Sequence, residues 1–337
     1  MIKKINNNKF LTNRLIPGLF FVIFIILFIF INRFILYDFN FYTNVDKTVF
    51  YILKTISFSI LSGVFIWIFY ELCNVFYKNK KLAIINAILL NITVFAGVKL
   101  PQDIFFNYNN FLFQYKSVGL LSEYLWKDYV FYILITVNWI YYLTTKYIYL
   151  KRNIVVDDFI TQSLVFFLTF TILVIFLKSF LFFLVISNGI QYILLCFLVA
   201  TISDTSGYIG GKFFGGKFFE KKLAPQISPK KTWEGFLFSF VITIFFIISF
   251  VFIYNTGNKN EINDFVNLLK TTKRTGFSLF ILMSVLFAAI GDLYFSLIKR
   301  QLGIKDYSKL LKEHGGLLDR FDSISFVFLL LSLVVII

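Results

Sequence analysis

The sequence has few of the side chains that usually build disulfides or zinc sites. Only two cysteines occur among its 337 residues, Cys73 and Cys196, and both lie within apolar runs. They predict neither a disulfide framework nor a thiolate metal site. The single histidine, His314, also argues against a histidine-based zinc site. A metal site in this chain must therefore consist of carboxylates, which favours Mg²⁺, Mn²⁺ or Ca²⁺.

Charged residues make up only 15% of the chain, whereas 58% is hydrophobic and the mean hydropathy is +0.79. Since soluble domains are about 45–50% apolar, this composition predicts a membrane protein. A membrane-spanning helix needs about 20 predominantly apolar residues. We therefore predict an all-α, polytopic helical bundle of about nine transmembrane helices, at residues 15–36, 50–76, 82–98, 129–149, 159–178, 180–202, 236–254, 277–298 and 321–337.

The basic residues are distributed unequally between the two sets of connecting loops. With a cytoplasmic N-terminus, 22 basic residues lie on the cytoplasmic side and 10 on the other, and four of these 10 fall between Lys259 and Arg274. Cytoplasmic loops are generally the more basic, so we expect a cytoplasmic N-terminus and an external C-terminus. The formal net charge of +15 therefore reflects loop bias as well as any binding of anionic substrates or lipids. We expect a multi-pass protein of the plasma membrane.

The density of charge and glycine increases after about residue 200. We interpret residues 1–198 as a scaffold of transmembrane helices and residues 199–337 as the catalytic half. Glu71 and Asn74 lie within the predicted helix at 50–76. Isolated polar residues of this kind are typical of hydrogen bonds between membrane helices, so we assign them no chemistry.

Two polar segments begin the second half. Residues 204–216 read DTSGYIGGKFFGG. The spacing of the glycines allows a second helix or a ligand to approach closely. The alternative interpretation is simple helix packing followed by a flexible re-entry. Residues 228–235 read SPKKTWEG, just before an apolar run. Hydroxyls and lysines at a helix N-terminus suit a phosphate, although the basic flank of a membrane helix explains them as well.

A third polar segment, residues 291–322, lies between two apolar runs. If its first part is helical, Asp292, Ser296 and Lys299 share one helix face. A carboxylate at this depth needs a cation, which is either a metal ion or Lys299 in an ion pair. Asp319 and Asp322 then begin the last apolar run, where they either cap a helix or bind a metal.

One cation shared by Asp292 and Asp319 would connect the last two predicted helices. The Gly315-Gly316 pair allows a tight turn just before Asp319, and His314 precedes that turn. Divalent ions held by two carboxylates and a phosphate recur in phosphoryl and nucleotidyl transfer. The segment therefore predicts a metal and nucleotide triphosphate site at the membrane surface.

Together these segments closely resemble the signature of phosphatidate cytidylyltransferases (CDP-diacylglycerol synthases). The resemblance covers three ordered motifs between residues 204 and 322, and Lys312 departs from the usual pattern before the histidine. The matching residues are Asp204, Gly207, Tyr208 and Gly211; Ser228 to Gly235; and Ser296, Lys299, Arg300, Lys305, Asp306, His314, Gly315, Gly316, Asp319, Arg320 and Asp322.

The resemblance implies an integral membrane enzyme that converts CTP and phosphatidic acid to CDP-diacylglycerol and pyrophosphate. It further implies Mg²⁺, a second cation such as K⁺, and a homodimer; no nucleic-acid partner is expected. Asp292 and Asp319 correspond to the cation-binding aspartates of the family, with Asp322 and Asp204 as further candidate ligands.

The candidate residues divide into catalytic and substrate-binding groups. We assign catalytic roles to Asp292, Asp319, Lys299 and Arg300. His314 would either contact the substrate or orient an aspartate. Phosphate contacts would come from Lys230, Lys231, Lys299, Arg300 and Lys305, and positioning from Ser228, Thr232 and Ser296. Further substrate-binding candidates are Glu234, Asp306, Gly315, Gly316 and Arg320.

Two other functions are compatible with parts of this pattern. A CTP-dependent enzyme acting on another lipid, such as a polyprenol kinase or a CDP-archaeol synthase, would share the nucleotide site. A secondary transporter would explain the intramembrane aspartate and the glycines but not the SPKK and HGG elements. Assays of different lipid acceptors with labelled CTP distinguish the lipid enzymes, because entry of the α-label into the lipid indicates cytidylyl transfer and entry of the γ-label indicates a kinase. Absence of CTP binding would favour the transporter.

Overall fold

The computed structural model describes residues 16–37, 46–97, 118–150, 156–186, 188–257, 274–311 and 315–336. These ranges contain ten α-helices and, as extended structure, the isolated bridge between Ala224 and Ser228. In chain order the helices are α1 (Ile16–Leu36), α2 (Lys47–Tyr77), α3 (Lys80–Phe95), α4 (Leu120–Leu125), α5 (Tyr129–Leu150), α6 (Val156–Val185), α7 (Gly189–Phe214), α8 (Trp233–Gly257), α9 (Arg274–Gln301) and α10 (Leu318–Val334).

The all-α architecture is confirmed, and each of the nine predicted segments overlaps mainly with a different one of the longer helices. Five of them, α2, α6, α7, α8 and α9, are long and apolar enough to cross a membrane, and shorter apolar helices accompany them. The short helix α4 was not predicted. The chain is therefore a multi-pass membrane protein. Its N-terminal basic residues and most of the 99–128 loop lie outside the described residues.

Two predicted helix boundaries are wrong. The break expected near residue 179 is absent, because α6 continues to Val185 and the next helix begins at Gly189. Lys178 can lie inside α6 because its ammonium forms a buried ion pair with Asp128 at 3.3 Å. The predicted end of the next helix at residue 202 is also wrong, because α7 continues to Phe214. The alternative of a flexible re-entry after residue 204 is therefore excluded.

Helix α6 lies at the centre of the bundle. It contacts α1 to α5 as well as α7 and α10, and it is the most buried of the five candidate membrane spans. Phe176 on α6 packs against Phe321 and Phe328 of α10, with ring centroids 5.5 and 5.1 Å apart. The predicted scaffold therefore packs directly against the predicted catalytic half.

Two close helix contacts bring the polar segments of the second half together. A Cβ at Gly235 on α8 would lie 2.6 Å from the carbonyl oxygen of Gly207 on α7. Similarly, a Cβ at Gly291 on α9 would lie 2.8 Å from the carbonyl oxygen of Asp322 on α10. Only glycine permits backbones to approach this closely, so these contacts determine how near the site helices come to one another.

We expect Gly235→Ala to destabilise the α7–α8 contact by about 1–3 kcal/mol, because the methyl group would meet backbone atoms that cannot move freely. The matched control is Gly63→Ala on α2, where a Cβ meets nothing within 4 Å. Thermal unfolding of the detergent-solubilised protein measures both effects. A melting temperature for Gly235→Ala equal to or above that of Gly63→Ala would contradict the packing account.

Candidate active site

A cavity of about 1240 Å³ lies between α1, α7, α8, α9 and α10. One part of its wall is apolar and consists mainly of side chains from α1 and from the first half of α7. The other part is charged and, within the described residues, is lined by five aspartates and six basic side chains. The aspartates are Asp204, Asp292, Asp306, Asp319 and Asp322, and the basic residues are Lys212, Lys222, Lys230, Lys231, Lys299 and Arg320. All four aspartates predicted as candidate cation ligands therefore face one cavity.

The end of the segment between α7 and α8 lies on the cavity wall. Lys230, Lys231 and Thr232 line the cavity. The Thr232 hydroxyl also accepts a hydrogen bond from the Gly235 N–H at 3.1 Å, which caps the start of α8. One Glu234 carboxylate oxygen accepts from the N–H groups of Gly216, Phe218 and Phe219. Glu234 therefore holds the loop rather than facing the cavity.

The two aspartates predicted to share a cation are each paired with a lysine. The Lys231 ammonium lies 2.6 Å from an Asp292 carboxylate oxygen, and both side chains are partly exposed. The Lys299 ammonium lies 2.8 Å from Asp319, and both side chains are largely buried. The structure therefore does not contain the alternative Asp292–Lys299 ion pair. Instead, one pair joins the segment before α8 to α9, and the other joins α9 to α10.

The predicted common face of α9 is partly present. The Ser296 hydroxyl donates to the Asp292 carboxylate at 3.3 Å, as expected for residues four apart on a helix. Lys299 lies further along the same helix and reaches across to Asp319 instead. The turn that follows α9 therefore places the Asp319 carboxylate, rather than the Asp292 carboxylate, within ion-pair distance of the Lys299 ammonium group.

Asp319 is held on both of its carboxylate oxygens. One accepts from Lys299, and the other accepts from the backbone N–H groups of Tyr307 at 2.9 Å and Gly316 at 2.8 Å. Gly315 adopts a φ of +79°, which a glycine tolerates, and a Cβ there would lie 2.8 Å from the Asp319 carboxylate. Burial raises the pKa of the Tyr307 hydroxyl, which therefore stays neutral beside the Asp319–Lys299 pair.

Asp204 and Asp322 complete the acidic part of the wall. The Ser323 hydroxyl donates to Asp204 at 3.2 Å, and the Ser323 N–H donates to Asp322 at 2.8 Å. Asp292 lines the same cavity as Asp204 and Asp322. Carboxylates that line one cavity repel one another, and this repulsion favours a bound cation or a neighbouring ammonium group.

The predicted site residues do not all reach the cavity. Asp306 and Arg320 line it, whereas seven other described candidates lie outside the lining: Ser228, Glu234, Ser296, Arg300, Lys305, Gly315 and Gly316. Arg300 is exposed and donates to the Ile304 carbonyl at 3.4 Å, and Lys305 is exposed as well. His314 lies outside the described residues.

Sequence reasoning missed several residues of the site. Lys212 and Lys222 line the cavity, but in the sequence they are ordinary basic residues near a membrane helix. Ser323 follows the HGGxxDRxD motif directly and could have been included with it. The apolar side chains from α1 carry no signal, since every membrane helix has such residues.

The sequence is similar to those of known proteins. The model of the Cytidylyltransferase family matches residues 12–337. The phosphatidate cytidylyltransferase of Staphylococcus haemolyticus is 39% identical over 150 residues, which are 44% of this chain and 51% of the relative. That of Haemophilus influenzae is 33% identical over 138 residues, which are 41% of this chain and 43% of the relative. That of Staphylococcus aureus strain COL is 37% identical over 150 residues, which are 44% of this chain and 51% of the relative.

The alignments thus span about half the length of these curated relatives, 43 to 51%. The family model, by contrast, extends over nearly the whole sequence, including the helices that line the cavity. The chain therefore belongs to the Cytidylyltransferase family.

Proposed function

We propose that this protein transfers the cytidylyl group of CTP to phosphatidic acid, giving CDP-diacylglycerol and pyrophosphate. The observation that carries the proposal is the single cavity with one charged wall and one apolar wall. A nucleotide triphosphate fits the charged wall, and the acyl chains of a lipid fit the apolar one. The named relatives support the choice of CTP and phosphatidic acid as the two substrates.

The reaction suits a site without a strong general base. The attacking group is a phosphate oxygen of the lipid, which is already anionic at neutral pH. This oxygen forms a bond to the α-phosphorus of CTP, and the bond from that phosphorus to the bridging oxygen breaks to release pyrophosphate. The main difficulty is that two polyanions, CTP and the lipid phosphate, must approach each other. The positive charges of Lys230, Lys231 and Lys299 on the cavity wall would reduce the repulsion between them.

The carboxylates of the cavity fit a hard divalent cation such as Mg²⁺. In the structure, ammonium groups of Lys231 and Lys299 neutralise Asp292 and Asp319, in the positions where cations would do so. Within the described ranges, no three acidic, histidine or cysteine side chains group closely enough to hold an ion unaided. Mg²⁺ is commonly bound by one or two carboxylates together with substrate phosphates.

We accordingly propose that Asp292 and Asp319 hold Mg²⁺ together with the CTP phosphates, with Asp204 and Asp322 close by. When bound, the ion would neutralise the triphosphate and make the α-phosphorus more electrophilic. We also propose that the charged wall faces the cytoplasm, in agreement with the excess of basic residues on that side. The second cation and the homodimer implied by the resemblance stay predictions.

Purified protein incubated with phosphatidic acid and radiolabelled CTP tests the proposal. Label from the α-phosphate should enter the lipid, label from the γ-phosphate should leave as pyrophosphate, and both should require Mg²⁺. Entry of the γ-label into the lipid would instead identify a kinase. Failure to bind CTP would favour a transporter and contradict the proposal.

The apolar wall gives a separate prediction about the lipid. Ile25 on α1 lines the cavity, so Ile25→Trp should reduce the room for acyl chains and raise the KM for phosphatidic acid about 10-fold. The KM for CTP should stay unchanged. Ile23→Trp on the same helix is the control, because Ile23 lies outside the cavity lining and the residue is 53% exposed. Equal effects of the two substitutions would contradict the assignment of this wall to the lipid.

A further inference from the structure

Helix α2 of the predicted scaffold contributes a buried carboxylate, Glu71, to the turn that precedes α10. The Glu71 residue is only 1% exposed. One of its oxygens accepts from the Trp67 indole at 2.9 Å, the Ser308 hydroxyl at 2.7 Å and the Leu317 N–H at 3.1 Å. The other oxygen accepts from the Leu318 N–H at 2.8 Å. Three of these four donors belong to the catalytic half.

These contacts place a negative charge at the N-terminus of α10. The first N–H groups of a helix have no partner within the helix, and a carboxylate near them is stabilising. Here the carboxylate comes from a residue 246 or 247 positions earlier in the chain. The residue that follows Leu318 is Asp319, so Glu71 holds the backbone immediately before that aspartate.

Gly316 lies between Glu71 and Asp319. A Cβ at Gly316 would lie 2.5 Å from a Glu71 carboxylate oxygen, so any side chain there would displace Glu71. The Gly316 N–H points the other way and donates to Asp319 at 2.8 Å. The Gly-Gly turn is thus fixed between two carboxylates, one from each half of the chain, and Asp319 in turn holds Lys299.

We propose that Glu71 is a positioning residue for the reaction, which acts by fixing the turn that carries Asp319 and, through it, Lys299. This inference rests on the proposed function. Misplacement of reacting groups by about 1 Å can lower a rate about 100-fold even when substrates still bind. The loss of Glu71 should therefore reduce kcat much more than it alters either KM.

The test compares Glu71→Gln with Asp128→Asn in purified protein. Both substitutions replace a buried carboxylate of the first half by an amide, but Asp128 pairs with Lys178, away from the cavity. An amide lacks one of the two acceptor oxygens that Glu71 uses. We expect Glu71→Gln to lower kcat about 10- to 100-fold with both KM values within about threefold. Asp128→Asn should lower the stability of the fold, because it leaves the buried Lys178 ammonium without its carboxylate, but the folded protein should keep kcat within about twofold of the wild type.

Hydrogen–deuterium exchange provides a readout that does not depend on turnover. The Leu317 and Leu318 amides should exchange faster in Glu71→Gln than in the wild type or Asp128→Asn. Ser308→Ala is a milder variant that removes one of the four donors to Glu71 and keeps the other three; it should lower kcat about threefold. It keeps the test decisive if Glu71→Gln does not fold.

Several results would overturn the inference. They are a kcat of Glu71→Gln within twofold of an active wild type, an equal fall in kcat for Asp128→Asn, or unchanged exchange at Leu317 and Leu318. If the wild-type protein transfers no cytidylyl group, the proposed function fails instead. The exchange measurement then still decides whether Glu71 fixes the turn.

Discussion

Replacing Asp292 by asparagine is expected to lower the rate of cytidylyl transfer by about 10²–10³-fold or more, because the cavity loses a carboxylate that would hold the cation with CTP. The fold should tolerate the change. The Lys231–Asp292 pair is partly exposed, with side chains 25% and 28% accessible, and pairs of this kind contribute about 0–1 kcal/mol to stability. The transfer of α-label to phosphatidic acid, measured over a range of Mg²⁺ concentrations, gives the rate.

Asp158→Asn serves as the control for Asp292→Asn. Asp158 is an exposed carboxylate on α6 that lies outside the cavity lining, so its loss should leave the rate unchanged. Melting temperatures of the two variants should both stay close to that of the wild type. A rate for Asp292→Asn near that of the wild type with Mg²⁺ would count decisively against the metal assignment.

Asp319→Asn is expected to remove both activity and stability. Its carboxylate pairs with Lys299 in a largely buried position, with side chains 4% and 11% accessible. Removing one partner of a buried ion pair leaves an uncompensated charge and costs about 3–5 kcal/mol. Transfer of the α-label should fall below detection, because a candidate metal ligand and the orientation of Lys299 are lost together. Thermal unfolding and the labelled-CTP assay measure the two effects.

The double variant Asp319→Asn with Lys299→Met separates the two effects. Removing the unpaired ammonium group should restore most of the lost stability, since an apolar side chain of similar length replaces it. Activity should not return, because neither the carboxylate nor the lysine is present. Recovery of activity in the double variant would show that the pair has only a structural role.

The helices could be predicted from the sequence because apolar runs of about 20 residues are a direct consequence of bilayer thickness. Boundaries failed where a polar residue was compensated through tertiary contacts. Lys178 indicated a loop, but the buried carboxylate of Asp128 allows it to stay inside α6. The glycine-rich start of the second half likewise remained helical, because α8 packs against those glycines.

The candidate site was predictable as a set of residues but not as a set of contacts. Sequence spacing places Asp292 and Lys299 on one helix face. It does not show that Lys299 pairs with Asp319, or that Lys231, from the segment before α8, pairs with Asp292. Glu71 was assigned only to helix contacts, because no local pattern connects it with a turn more than 240 residues later. Such pairings depend on how the helices pack in three dimensions.

An experimental structure of the protein in lipid nanodiscs, with CTP, Mg²⁺ and a non-reacting analogue of phosphatidic acid, tests the central claim most directly. We predict that the triphosphate contacts Lys230 and Lys231, that a cation lies at the Asp292 carboxylate, and that the acyl chains run along α1. Nucleotide density outside this cavity, or a lipid bound on a different face of the bundle, would contradict the account.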